Sequence, residues 1–175
     1  LVSVGTAAME VTADGYTGTY DEKAHGITVN APDGATIAYS KDGINYDLNA
    51  SPTYTDAGTY TVFYQVTKAN FTTITSSATV TINKAAGSIN YATATVNKTY
   101  GDAAFTNELT IAGDGTVSYE SNNLDAATVD DKGEVTIVGD GEATITATVA
   151  DGTNYTYATK TASYLVSVGT AAMEV

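Results

Sequence analysis

The sequence predicts an all-β protein of two domains in tandem, and three observations carry that prediction. Runs of Thr, Val, Ile and Tyr alternate apolar with polar, the period-two signature of strands with one buried face. Gly, Asn and Asp punctuate those runs roughly every ten residues, and no segment carries helical periodicity. The chain also resembles itself at about half its length.

The clearest strand of the first half is "TYTVFYQV", where Tyr60, Val62, Tyr64 and Val66 share one face. A turn with Asn before an aromatic follows at Asn70-Phe71, then a final strand with Val80 and Ile82 in phase. The second half repeats the plan. In "EATITATV", Ala143, Ile145, Ala147 and Val149 point one way and Thr144, Thr146 and Thr148 the other, as in a half-buried antiparallel strand. Asn154-Tyr155 supplies the turn, and Val166 and Val168 match Val80 and Ile82. Each final strand runs into an Ala pair, and the pairs begin at Ala7, Ala85 and Ala171, spaced 78 and 86 residues apart.

A longer period overlies this one. "LVSVGTAAMEV" occupies residues 1–11 and again 165–175, so the full period is 164 residues, long enough for a two-domain unit rather than a solenoid turn. The expected division is residues 1–4 as the last strand of a preceding repeat, 5–84 and 85–168 as the two domains, and 169–175 as the start of the next repeat. Leu1–Val4 and Ala171–Val175 would then be strands parted from their own domains, expected to pair head to tail with neighbouring molecules. Such a heterologous contact extends rather than closes. The linkers "TINKAAGS" and "VSVGTAAM" contain no Pro and no Gly/Ser run, so neighbouring domains should be semi-rigid. Domains of this size have marginal cores, and contact with the next domain is expected to add stability.

Composition excludes several partners. All seven basic residues are Lys, against twenty Asp and Glu, for a net charge of −13. That surface repels phosphate backbones and anionic lipid, so neither nucleic acid nor membrane insertion is expected. The absence of Cys removes disulfides, thiolate metal sites and thiol nucleophiles.

"DAGTY", from Asp56 through Gly58 to Tyr60, resembles the pattern that precedes strand F of immunoglobulin-like domains, where the Tyr forms a corner by bonding upstream backbone. Val62 stands at the usual Cys position. The second half departs from the pattern: Gly141 matches Gly58, but Ala143 and Ile145 stand at the places of Tyr60 and Val62. Residues 7–84, with "YDEKAHGITV", "ATIAYSKDGINY" and "YTDAGTYTVFY", resemble MBG-type bacterial surface repeats. Residues 85–168, with "VSYESNNLDAATVDDKGEVTIVGDGEATITATV", resemble group 2 bacterial immunoglobulin-like domains of intimin- and invasin-type adhesins. These resemblances imply two tandem immunoglobulin-like β-sandwich domains, an extracellular place on the bacterial surface, and a role in adhesion or spacing. They bring no catalytic residues.

Candidate sites are few. His25, the only His, sits in "KAHGI" before a strand and reads as a turn residue, since no nucleophile-elbow spacing accompanies any Ser. No catalytic or cofactor-binding residue is expected. Calcium is the one cofactor with candidates: Asp130, Asp131 and Glu134 in "VDDKGEV", and Asp140 and Glu142 in "VGDGEA". Neither stretch has the spacing of an established calcium motif, and "DDKG" equally suits a plain turn. Lys68 and Lys98, near Asn residues, read as solubilising charge rather than as partners in an isopeptide bond. Thirteen Tyr without Trp allow a glycan-stacking surface, although Tyr60 and Tyr64 lie in phase with core residues.

The expected function is therefore that of a tandem-repeat module in a large bacterial surface protein, a stalk or spacer and not an enzyme. Two alternatives stay open: a module giving avidity for a host or environmental glycan or protein, and an accessory module of a secreted glycan-active enzyme.

Overall fold

Strands β1 to β16 account for all the regular structure among residues 5–172, the part of the chain that the computed structural model describes. The chain divides into two units, Leu1–Ala85 and Ala86–Val175. Of the strands expected at the two ends, Leu1–Val4 and residues 173–175 lie outside the described part.

The first unit holds β1 (Thr12–Asp14), β2 (Tyr16–Thr19), β3 (Thr28–Asn30), β4 (Thr36–Ser40), β5 (Gly58–Thr67) and β6 (Ile74–Asn83). Its main sheet has the order β2-β6-β5-β4, with β1 and β3 paired separately. The long hairpin β5–β6 is antiparallel, and β2 runs parallel to β6 along its other edge. Alternation fixes which face is buried: Val62, Val66 and Val80 are fully enclosed, and Tyr64 and Ile82 nearly so. Met9, Ile27, Val29 and Tyr39 complete this core.

The second unit holds β7 (Ala85–Tyr91), β8 (Thr95–Thr99), β9 (Phe105–Thr106), β10 (Leu109–Ala112), β11 (Val117–Ser121), β12 (Ala127–Val129), β13 (Glu134–Ile137), β14 (Gly141–Val149), β15 (Tyr155–Tyr157) and β16 (Thr161–Gly169). Its main sheet runs β11-β14-β16-β8, beside two three-stranded sheets, β10-β7-β15 and β12-β13-β9. Here too the last strand is antiparallel to its hairpin partner and parallel to an edge strand. Ile145, Ala147, Val149, Val135 and Val166 form the centre of its core.

The two main sheets therefore share one topology, and their registers align residue by residue. Gly58 lies opposite Ile82 and Gly141 opposite Val168; Tyr60 lies opposite Val80 and Ala143 opposite Val166. On the parallel edge, Tyr16 faces Val80 as Val96 faces Val166. The cores differ in which strand brings the bulk. In the first unit the large rings, Tyr60 and Tyr64, stand on β5 against Val80 and Ser76. In the second unit β14 has Ala143 and Ala147 at those places, and Tyr164 on β16 faces Ile145. Close packing needs similar total volume in each layer, not the same residue at each place.

Candidate functional site

The residues singled out around Tyr60 lie at the start of β5. The Tyr60 hydroxyl donates to the Asp56 carbonyl at 3.0 Å, tying the strand to the turn that feeds it. Tyr54 stacks on the same ring, with centroids 3.9 Å apart and planes 7° from parallel. Gly58 lies against the Tyr60 ring with little room for more: a Cβ there would meet the Tyr60 hydroxyl at 3.0 Å. In the second unit Ala143 is buried at the matching register position, and no hydroxyl is available to make such a bond.

His25 belongs to the fold. Its N–H and carbonyl pair with Tyr54, its ring stacks on Tyr16 at 3.7 Å, and its Nε2 lies 2.8 Å from Asp21. That contact, with the Lys23 N–H, holds the Asp21 carboxyl below the ordinary carboxylate range. Ser51, beside Gly26, has its Oγ committed elsewhere: it accepts from the Ile27 N–H and donates to the Pro52 carbonyl, each at 3.0 Å.

The calcium candidates are exposed, Asp130, Asp131 and Asp140 on turns and Glu134 and Glu142 at the starts of β13 and β14. Asp130 closes the β12–β13 turn, its Oδ1 accepting from the N–H groups of Lys132 at 2.9 Å and Glu134 at 2.8 Å. Gly133 supplies the positive φ, +81°, that this turn needs. Asp131, Glu134, Asp140 and Glu142 are exposed to solvent. Among the described residues, no three acidic or His side chains come together as a group able to hold a metal ion.

Several ordered turns were not singled out by sequence. Asp42, after β4, accepts from the Asn45 N–H at 2.9 Å, the Ser40 hydroxyl at 2.7 Å and the Ile44 N–H at 2.8 Å. These bonds, the Asn45 N–H first, depress the Asp42 carboxyl far below its usual value. The fully buried Ser40 Oγ in turn accepts from the Gly43 N–H. In the second unit Asp114 accepts from the N–H groups of Asn154 and Tyr155 at 2.8 and 3.1 Å, clamping the β14–β15 turn. Asp151 pairs with Lys160 and accepts from the Tyr157 N–H, which lowers its carboxyl too. The signal for such turns was present as Asp followed closely by Gly, Asn or another polar residue, a pattern that marks local side-chain to backbone bonding.

Aromatic groups are mostly structural. Among the described residues Tyr100 is the one exposed tyrosine, 54% accessible; the other twelve are half-buried or buried. Tyr91 meets Tyr164 edge-on at 4.6 Å, and burial pushes both phenols up, Tyr164 to about 12. Lys68 and Lys98 lie over the rings of Phe71 and Phe105, at 5.0 and 4.6 Å.

Residues 98–151, from within β8 through β14, match the family model of the intimin immunoglobulin-like domain. The second unit is therefore intimin-like. Intimin of Escherichia coli O111:H- is 42% identical over 57 residues, and that of Escherichia coli O157:H7 is 45% identical over 56. These alignments take in 33% and 32% of this chain but 6% of each intimin. The resemblance of the intimin-like unit to bacterial immunoglobulin-like domains, and the bacterial cell-surface setting that accompanies it, are thus borne out. Among solved structures, domains 1–6 of the surface layer protein SbsC align over 96% of this chain and 29% of their own, at 17% identity and a TM-score of 0.48. A C-terminal intimin fragment, solved with the intimin-binding domain of its translocated receptor, aligns over 93% and 64%, at 18% identity and 0.36. No helix among the described residues is long and apolar enough to cross a membrane.

Proposed function

We propose that the chain is a structural module of a large bacterial surface adhesin, a semi-rigid stalk or spacer built from tandem immunoglobulin-like units. The observation that carries this reading is the shared sheet topology of the two units, aligned register for register while their cores differ. What is held constant is the strand framework. The intimin-like sequence of the second unit supports an adhesin setting. The polar side chains support a passive role, because Asp42, Asp114, Asp130 and Asp151 are occupied in bracing turns. The linker sequences, with neither Pro nor a Gly/Ser run, support semi-rigid joints.

Small-angle scattering on two fused 164-residue repeats, with calcium and then with chelator, tests the proposal. The expected particle is a rod whose length grows in proportion to domain number and is unchanged by chelator. A compact particle would remove the spacer reading. A rod that slackens only in chelator would make the acidic turns metal ligands.

A further inference from the structure

The main sheet of the first unit, β2-β6-β5-β4, buries Val62, Val66 and Val80 on one face, and its other face meets solvent. Alternation gives that outer face Thr59 and Thr61 on β5, Ser77, Thr79 and Thr81 on β6, and Thr17 on β2. They stand in rows across the strands: Thr17 faces Thr81, which faces Thr59, and Thr61 faces Thr79. Neighbouring strands lie about 4.8 Å apart and alternate residues about 7 Å apart, so the hydroxyls form a grid. Thr81 is half-buried and the other five are exposed. Unlike Thr6, whose hydroxyl pairs with Thr72, none of the six is bonded to another side chain among the described residues. No charged residue occurs in β2, β4, β5 or β6, within a chain of net charge −13. Solvent-facing surfaces usually hold about a quarter or more charged side chains. Strand composition does not enforce the difference, because the outer face of the second unit's main sheet bears Glu120 and Glu142, opposite Thr146 and Ser167.

A hydroxyl donates one hydrogen bond and accepts two, so a grid of them suits a ligand whose own groups do both. Phosphate, sulfate and carboxylate ligands are disfavoured, since no cation on these strands would offset their desolvation. A protein partner would need aromatic or Arg anchors seated in pockets. Phe63, the ring on this face, is instead half-buried against the turn at Gly43, where a Cβ would meet it at 3.1 Å. We propose that the outer face of β2-β6-β5-β4 binds a neutral polysaccharide, its sugar hydroxyls bonding the Thr and Ser hydroxyls. Each face holds its ligand weakly, and tandem copies multiply the hold. This goes beyond the spacer reading, since a rod of the same units need bind nothing, and it is measured apart from particle shape.

Native affinity electrophoresis of the intact chain tests the proposal, with dextran, galactomannan or hydroxyethylcellulose cast in the gel as neutral probes and polygalacturonate as the acidic one. At least one neutral polysaccharide should retard the chain, and polygalacturonate should not. The variant T59V/T61V/T79V/T81V keeps shape and strand preference but removes four hydroxyls, and should bind at least about tenfold more weakly. T144V/T146V, on the outer face of the second unit, should bind as wild type does. If the fourfold variant fails to fold, Thr61→Glu answers instead, because a lone carboxylate on the grid should abolish retardation. No retardation by any of the three neutral probes, equal retardation by polygalacturonate, or binding unchanged in the valine or Glu variant overturns the proposal. Self-association that these variants abolish, without retardation, overturns it in favour of a second copy of the chain as the occupant.

Discussion

The hydroxyls of Tyr60 and Tyr164 have opposite circumstances. Tyr60 donates to the Asp56 carbonyl, whereas the buried Tyr164 Oη has no hydrogen-bond partner among the described residues. Tyr60→Phe should therefore cost the first unit about 1 kcal/mol, the net value of an ordinary hydrogen bond. Tyr164→Phe should be neutral or should stabilise the second unit by up to about 1 kcal/mol, since it removes an unpaired buried group. Urea denaturation of the two variants checks both. Asp42 makes a pH prediction. Its folded-state pKa lies below the free value of 3.8, so its contribution is complete above that value and is lost as pH falls through the folded one. Asp42→Asn should be less stable than wild type at neutral pH, with the gap closing in acid; denaturation at a series of pH values reads this directly. The Tyr60 corner was legible because "DAGTY" is a local pattern whose partner lies four residues upstream. Tyr164 was not, since alternation tells that a side chain points inward but not what its terminal atom meets.

At the scale of the strand, period-two alternation placed the faces of β5 and β14 correctly. Tyr60, Val62, Tyr64 and Val66 turn toward the first core, and Ala143, Ile145, Ala147 and Val149 are buried in the second. Ile145→Ala should destabilise the second unit by about 3 kcal/mol, the usual effect of emptying a packed aliphatic site. Thr148→Ala, on the exposed face of the same strand, should change stability by less than about 0.5 kcal/mol. Calorimetry on the two variants separates the faces. Partner choice was less legible. The parallel pairings of β2 with β6 and of β8 with β16 join segments far apart in sequence, and alternation within one strand contains no record of its neighbour. The break between β9 and β10 was likewise invisible, because Asn107 there is buried through a bond to the Thr93 carbonyl, a distant partner.

For the whole molecule, the doubling was written in the spacing of the Ala pairs and of the Asn-aromatic turns, and two units with matching main sheets are what the chain forms. Composition was a weaker guide to the acidic turns, since it counts carboxylates without saying which are already bonded to backbone. Chelator should accordingly leave the thermal unfolding of both units unmoved, a scanning-calorimetry measurement on the intact chain. The relocation of bulk between the cores has a further consequence, for how such a chain escapes error while folding. Adjacent domains with one topology are prone to trade strands before either is complete. Were β5 to take the place of β14, Tyr60 and Tyr64 would enter a layer that Tyr164 already fills. In the reverse trade, Ala143 and Ala147 would leave voids beside Val80 and Ser76. Crowding one way and emptiness the other make the trespass unprofitable in both directions, so the placement of a few phenol rings acts as a proofreading code between neighbours whose main sheets share one topology.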